Sequence, residues 1–175
     1  MNDKEYIYIK EDLKKSIGER LYKHCVNVMN TAADLAQKYG VSTQKAKTAG
    51  LLHDCGKLLN QNVKNLEHAF TGSNIAASKY GVDDTNVLDA ILYHTTGRED
   101  MTMLEKIIYI SDKIEPDRSY EGVEEIRKLA FSNIDAAIVK SLEITFKYLE
   151  SKNIEIDKQS LLTYEYLKRK ITLGI

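Results

Sequence analysis

Apolar positions along this chain recur at steps of three and four almost from end to end, the spacing of one face of an α-helix. Leu21, Cys25, Val28, Ala32, Leu35, Ala36 and Tyr39 form one such stripe, and Gly40 follows as a C-terminal stop. Ser42 or Thr43 then caps a second helix through Ala46, Ala49, Gly50, Leu51 and Leu52, which ends at His53-Asp54. Its small residues predict close packing against a neighbour. A short helix is predicted over 72–80, stopping at Gly81, and Asp83, Asp84 or Thr85 opens the next. That helix carries Val87, Leu88, Ile91 and Leu92 on one face and His94 at its end. Thr102 caps a helix with Leu104, Ile107, Ile108 and Ser111-Asp112, halted before Pro116 because a residue preceding proline is pushed out of the α region. Ile134, Ala137, Ile138, Ser141, Leu142, Thr145 and Leu149 mark a long amphipathic helix, and Leu161, Tyr164, Leu167 and Ile171 a last one. No strand pair joined by a two-residue glycine turn is evident. The pattern predicts an all-α bundle of about seven helices.

Composition narrows this picture without changing it. A chain of 175 residues with one proline, no internal repeat and no Pro/Ser-rich linker is expected to form one domain over 1–175. The formal net charge of −1 implies no strongly basic face, so nucleic acid is not an expected partner. Two cysteines, Cys25 and Cys55, are too few for a disulfide framework and point to a reducing compartment. The charged N-terminal segment lacks the apolar run of a secretory signal, and no stretch approaches the roughly 18 apolar residues needed to cross a bilayer. The expectation is a cytoplasmic protein with no membrane partner.

The candidate chemistry lies in the histidines. The chain has only four, His24, His53, His68 and His94, and each falls at or beside a predicted helix end or on an apolar stripe. Asp54 adjoins one of them, and Asp112 sits late on an otherwise apolar helix, where a carboxylate opposes the helix dipole. Imidazole nitrogen and carboxylate oxygen together suit divalent iron, manganese, zinc or cobalt. Consecutive helical residues point about 100° apart, so His53 and Asp54 reach one pocket only near a helix terminus or in a crevice. Gly56 fits such a terminus and lets Lys57 swing back over the site.

The segment Leu51-Leu52-His53-Asp54-Cys55-Gly56-Lys57 resembles the defining motif of the HD superfamily of metal-dependent phosphohydrolases, and the order His24, His53-Asp54, Asp112 matches that family's layout. Further stretches, ERLYKH ending at His24, NLEHA around His68, ILYHTTG around His94 and LEKIIYISDKIEPDR ending at Arg118, are similar to the bacterial YqeK family. Ala69 and Asp117 stand where that family often has glycine, Gly56 where it often has alanine, and Tyr164-Glu165 where an Arg-Asn pair is expected. The resemblance implies an HD-type helical domain with a motif core over 20–118 and C-terminal helices over 119–175 completing it. It also implies symmetrical hydrolysis of diadenosine tetraphosphate to two ADP, with the small nucleotide as partner; a homodimer is expected only as the general prior for oligomers.

The same resemblance implies that His24, His53, Asp54 and Asp112 hold a first divalent metal, iron before manganese, cobalt or zinc. With two ions, His68 and His94 complete a second site and Asp54 bridges. With one ion, they bind or protonate phosphate. Asp54, Lys57 and His94 are the catalytic candidates. Arg20, Lys57, Lys113 and Arg118 are expected to hold phosphate oxygens, arginine through its bidentate fork, and Thr95 and Thr96 offer donors beside His94. Glu115 is expected to pair with Arg118 at (i, i+3) and do no more. Cys25 and Cys55 are expected to be small buried hydrophobes. Hydrolysis of another nucleotide, or nucleotide binding without catalysis, remains compatible with the same residues.

Overall fold

The computed structural model describes residues 3–57 and 66–174. Among these, every regular element is a helix: α1 (Asp3–Ile17), α2 (Glu19–Tyr39), α3 (Thr43–Leu52), α4 (Glu67–Ser78), α5 (Thr85–Leu92), α6 (Met103–Ile114), α7 (Val123–Ala130), α8 (Ile134–Ser151) and α9 (Lys158–Leu173). Several ends are held as their residue types demand. Ser42, Asp84 and Thr102 accept a backbone N–H at the starts of α3, α5 and α6, and Thr102 forms a reciprocal capping box with Glu105. Gly40 closes α2 in left-handed backbone, and α6 ends where Glu115, ahead of Pro116, turns extended.

Two helices lie beyond the seven that periodicity predicts. Among the described side chains of α1 the buried positions are Ile9, Leu13 and Ile17, one per turn inside a run of charges and tyrosines, so its stripe is thin. In α7 only Val123, Ile126 and Ala130 are buried, within eight residues, too short for a period to stand out. α4 begins at Glu67, five residues ahead of the predicted start at 72. Leu66 at its N-cap makes no side-chain cap bond, so packing of Ala69 and Gly72 against the rest of the fold sets this start. The extension places His68 inside a helix; Asn65, in the NLEHA stretch, lies outside the described residues.

α6 is the axle of the fold. Leu104, Ile107, Ile108, Tyr109, Ile110 and Ile114 are all buried, so the helix is covered on every side. It packs against α2, α3, α5, α7 and α8. Burying each such aliphatic side chain contributes about 1.5–3 kcal/mol, which makes this helix the main anchor of the core. Asp112, two residues before its end, is therefore carried by the best-buried element of the chain. No described helix is long and apolar enough to cross a membrane.

α2 and α3 cross at unusually close range through the small residues of α3. A Cβ added at Gly50 would lie 2.9 Å from Met29 Cα and 3.1 Å from Met29 N, both backbone atoms that cannot swing aside. Gly50→Ala is expected to push the two helices apart and cost about 1–3 kcal/mol, as overpacking of a filled core does. Urea unfolding measures this, and an unchanged midpoint would show that the crossing has slack.

Candidate metal centre

The site is assembled from helix ends. His24 lies on α2, whose Cys25, Val28 and Ala32 face the core beside it. His53 is the C-cap residue of α3, and the chain then turns tightly, with Cys55 N–H bonded to Leu52 O and Lys57 N–H to Asp54 O, each at 3.0 Å. That turn answers the geometric problem of adjacent ligands, since the helix stops just where two consecutive side chains must converge. Gly56 permits the approach of α4: a Cβ there would fall 2.1 Å from His68 O and 2.7 Å from Gly72 N. His94 follows the end of α5, and Asp112 comes from the last turn of α6.

The six side chains meet in one buried cluster. His24 Nε2 lies 3.0 Å from Asp112 Oδ1 and 3.2 Å from His53 Nε2. Asp54 divides its two oxygens between opposite sides. Its Oδ2 is 3.4 Å from His53 Nε2 and 3.8 Å from His24 Nε2. Its Oδ1 is 3.4 Å from both His68 Nε2 and His94 Nε2, which are themselves 3.1 Å apart. The ligand atoms of His24, His53 and Asp112, and those of His53, Asp54 and His94, lie within 4.8 Å of one another in each group.

Proton accounting shows what this cluster needs. His24 Nδ1 donates to Glu115 Oε1 (3.2 Å), His53 Nδ1 to Gly50 O (2.8 Å) and His94 Nδ1 to Ile91 O (2.6 Å). In its neutral form, an imidazole so anchored presents a lone pair at Nε2. The Nε2 atoms of His24, His53 and His94 thus face carboxylate oxygens and one another, and buried Asp54 Oδ1 has no hydrogen-bond partner at its two nearest nitrogens, 3.4 Å away. A buried acceptor left in this state costs about 1–3 kcal/mol, and more when charged. A divalent cation satisfies all of them at once, so the donor set fits a metal.

Electrostatics agree. Burial opposes ionisation of Asp54, yet His53 and His94 outweigh it and hold its carboxyl well below the usual range. Burial likewise opposes charge on Asp112, and Lys113, His24, His53 and Arg118 overcome it in the same direction. For His53 burial is outweighed by Asp54 and Asp112, so its pKa rises; at His94 burial prevails and lowers it. Both carboxylates are charged at neutral pH, and His94 is neutral.

The rim carries the expected cations. Lys57 Nζ donates to Asp54 Oδ2 at 2.8 Å, Lys113 Nζ to Asp112 Oδ2 at 2.9 Å, and Arg118 to both Asp112 Oδ1 (2.6 Å) and Asp112 O (2.7 Å). Thr95 Oγ1 sits 3.3 Å from His68 Nε2 and 3.1 Å from His94 Nε2. Thr96 is turned elsewhere: its hydroxyl donates to Gly97 O, and its carbonyl accepts from Thr163 on α9. Arg20 is exposed one turn before His24, without a contact to the cluster among the described residues. Cys25 and Cys55 are buried free thiols, as small core hydrophobes should be.

Glu115 does more than the surface pairing expected of it. Arg118 Nε does approach it at 3.7 Å, but the carboxylate is buried and accepts from His24 Nδ1, from Asn27 Nδ2 (2.8 Å) and from Asp117 N–H (2.8 Å). Arg127 on α7 then ties down the backbone around it, donating to Ile114 O, Glu115 O and Arg118 O. Nothing local in the sequence signals this role, because its partners His24 and Asn27 come from a distant helix.

Glu115→Ala should therefore weaken metal binding by roughly 10–100-fold, the usual effect of removing a group that orients a ligand imidazole. Metal titration of the folded variant measures this. An unchanged affinity would show that His24 needs no such support.

Comparison with known proteins follows the same lines. The HD domain family matches residues 21–117. The symmetrical bis(5'-nucleosyl)-tetraphosphatase of Bacillus subtilis is 38% identical, with 89% of this chain and 93% of that protein covered. Its Staphylococcus aureus counterpart is 34% identical over 87% of this chain and 89% of its own length. Among solved structures, an HD superfamily hydrolase from Clostridium acetobutylicum superposes with a TM-score of 0.87 at 36% identity, covering 94% of this chain and 97% of the other. HD domains bind divalent metals, and all six side chains of the His/Asp cluster lie within the matched segment. The chain belongs to the HD domain family and, within it, to the family of the symmetrical bis(5'-nucleosyl)-tetraphosphatases.

Proposed function

We propose that this chain hydrolyses diadenosine tetraphosphate with water to two ADP in the cytoplasm, using divalent metal held by His24, His53, Asp54, Asp112, His68 and His94. The observation that carries this reading is the buried His/Asp cluster, with Asp54 Oδ1 unpartnered and with lysine and arginine on its rim. A bound divalent ion polarises a phosphoryl oxygen and lets water attack near neutral pH. The chain's own residues then do the positioning. Lys113 and Arg118 neutralise phosphate oxygens as negative charge gathers on the departing ADP, and Lys57 does so from the Asp54 side. Thr95 offers its hydroxyl to a phosphate oxygen beside His94. Water adds to one inner phosphorus, the bond to the central bridging oxygen breaks, and that oxygen departs with the second ADP.

Two ions are favoured over one. Asp54 turns Oδ2 toward His24 and His53 and Oδ1 toward His68 and His94, the arrangement a bridging carboxylate needs. Burial also keeps His94 neutral, which suits a ligand better than a proton donor to phosphate. Iron is the proposed ion, and manganese, cobalt or zinc would find the same nitrogen and oxygen donors acceptable.

Incubation of metal-loaded protein with diadenosine tetraphosphate should yield ADP alone; AMP with ATP, or no turnover, would overturn symmetrical cleavage. Asp54→Ala should lose bound metal and more than about a hundredfold in rate, since even outer-shell changes cost 10–100-fold. Elemental analysis and circular dichroism of the same samples check both. A folded Asp54→Ala protein with full metal and rate would remove this site from the reaction.

A further inference from the structure

The His/Asp cluster draws His94 and Thr95 from the start of the segment 93–102, which joins α5 to α6. Connecting segments are ordinarily the loosest parts of a fold, whereas a metal ligand must hold its direction closely. Arg98 stands in the middle of this segment and meets three partners. Its Cζ lies 4.4 Å from the centre of the Tyr93 ring, its Nη2 donates to Asp89 Oδ2 on α5 at 3.1 Å, and its Nε pairs with Glu105 Oε1 on α6 at 2.6 Å. Glu105 is buried, and its other oxygen accepts from both the N–H and the hydroxyl of Thr102, each at 2.7 Å. One arginine thus ties the first residue of the segment, Tyr93, to its last, Thr102, and both to the flanking helices. Between them Gly97, in left-handed backbone, donates its N–H to Tyr93 O at 2.9 Å, so His94, Thr95 and Thr96 stand in one closed turn.

Stability alone gives little reason for such a pairing. A carboxylate taken into the interior with its cation often returns no more than well-packed apolar side chains would, and what it adds is a fixed register. The planar fork of arginine suits that task, because it meets one carboxylate through Nε, a second through Nη2 and an aromatic ring with its face. A lysine ammonium, a point charge on a flexible stem, cannot hold all three. Building on the reading of His94 as a metal ligand, we propose that Arg98 is a positioning residue that acts on the metal centre through His94, by fixing the turn that carries it. Thr163 on α9 holds the same turn at Thr96 O, so loss of Arg98 loosens His94 without releasing it.

The test is a double-mutant cycle read by manganese(II) titration of the chelator-treated full chain, at a temperature where circular dichroism shows every variant folded. Arg98→Lys keeps a cation beside Glu105 and should raise the Kd for manganese about tenfold, the lower end of what loss of a group supporting a ligand costs. In a His94→Ala background the same substitution should leave the remaining manganese binding unchanged, because the residue it acts through is gone. Asp89→Ala, which removes only the partly exposed contact of the fork, should weaken binding in the same direction by less. A purely structural role would shift manganese binding equally in both backgrounds, and that outcome would overturn the proposal, as would Arg98→Lys or Asp89→Ala with the parent's affinity. His94→Ala with unchanged manganese binding would remove His94 from the metal site, and the role of Arg98 with it. Failure of symmetrical cleavage would appear in the products of turnover, whereas failure of this assignment appears only in the cycle.

Discussion

A carboxylate held in the interior with no donor for one of its oxygens is the constraint on which this structure turns. Asp54 is buried, ionised and flanked by imidazoles, of which His53 and His94 direct Nδ1 at backbone carbonyls. Lys57 pairs with Asp54 Oδ2, but leaving the buried Oδ1 without a donor costs about 1–3 kcal/mol, and more for a charged group. A divalent cation, which HD domains bind, would relieve this arrangement, and any such binding would favour the folded chain.

The scaffold is built to bear that discomfort. α6 is wrapped by five other helices, so Asp112 has little freedom to retreat from His24. α2 and α3 approach through Gly50 until backbone nearly meets backbone, and Gly56 lets α4 come in over the motif. Behind the ligands, Glu115 orients His24, and Arg127 clamps the turn that carries Glu115. Rigid support of this sort sets ligand direction within the narrow limits that a metal site requires.

Around the buried cluster the polarity reverses. Lys57, Lys113 and Arg118 border the carboxylates, so cations line the rim of a cluster whose interior is histidine and aspartate. Their pairing with Asp54 and Asp112 also explains how three cations can gather there in a chain of almost no net charge. The field is local, which suits a small polyphosphate and gives no extended basic face for nucleic acid.

Local chemistry in the sequence determined much of this. The three-and-four spacing gave the all-helical class, the cap candidates at Ser42 or Thr43, at Asp83, Asp84 or Thr85 and at Thr102, with the stop before Pro116, marked where helices begin and end, and the histidines with Asp54 and Asp112 marked the residues that cluster. These are properties of neighbours along the chain, so they are written in neighbouring letters. Tertiary packing alone decided the rest. It made helices of the thinly striped α1 and the short α7, and it drew the start of α4 back to Glu67 because burial, not a cap, pays for that turn. It also turned Thr96 toward α9 and divided the two oxygens of Asp54 between opposite sides of the cluster. Glu115 is the clearest case: by spacing it belonged to Arg118, but the low dielectric of the interior gave it to His24, a partner ninety-one residues away that no local pattern could name.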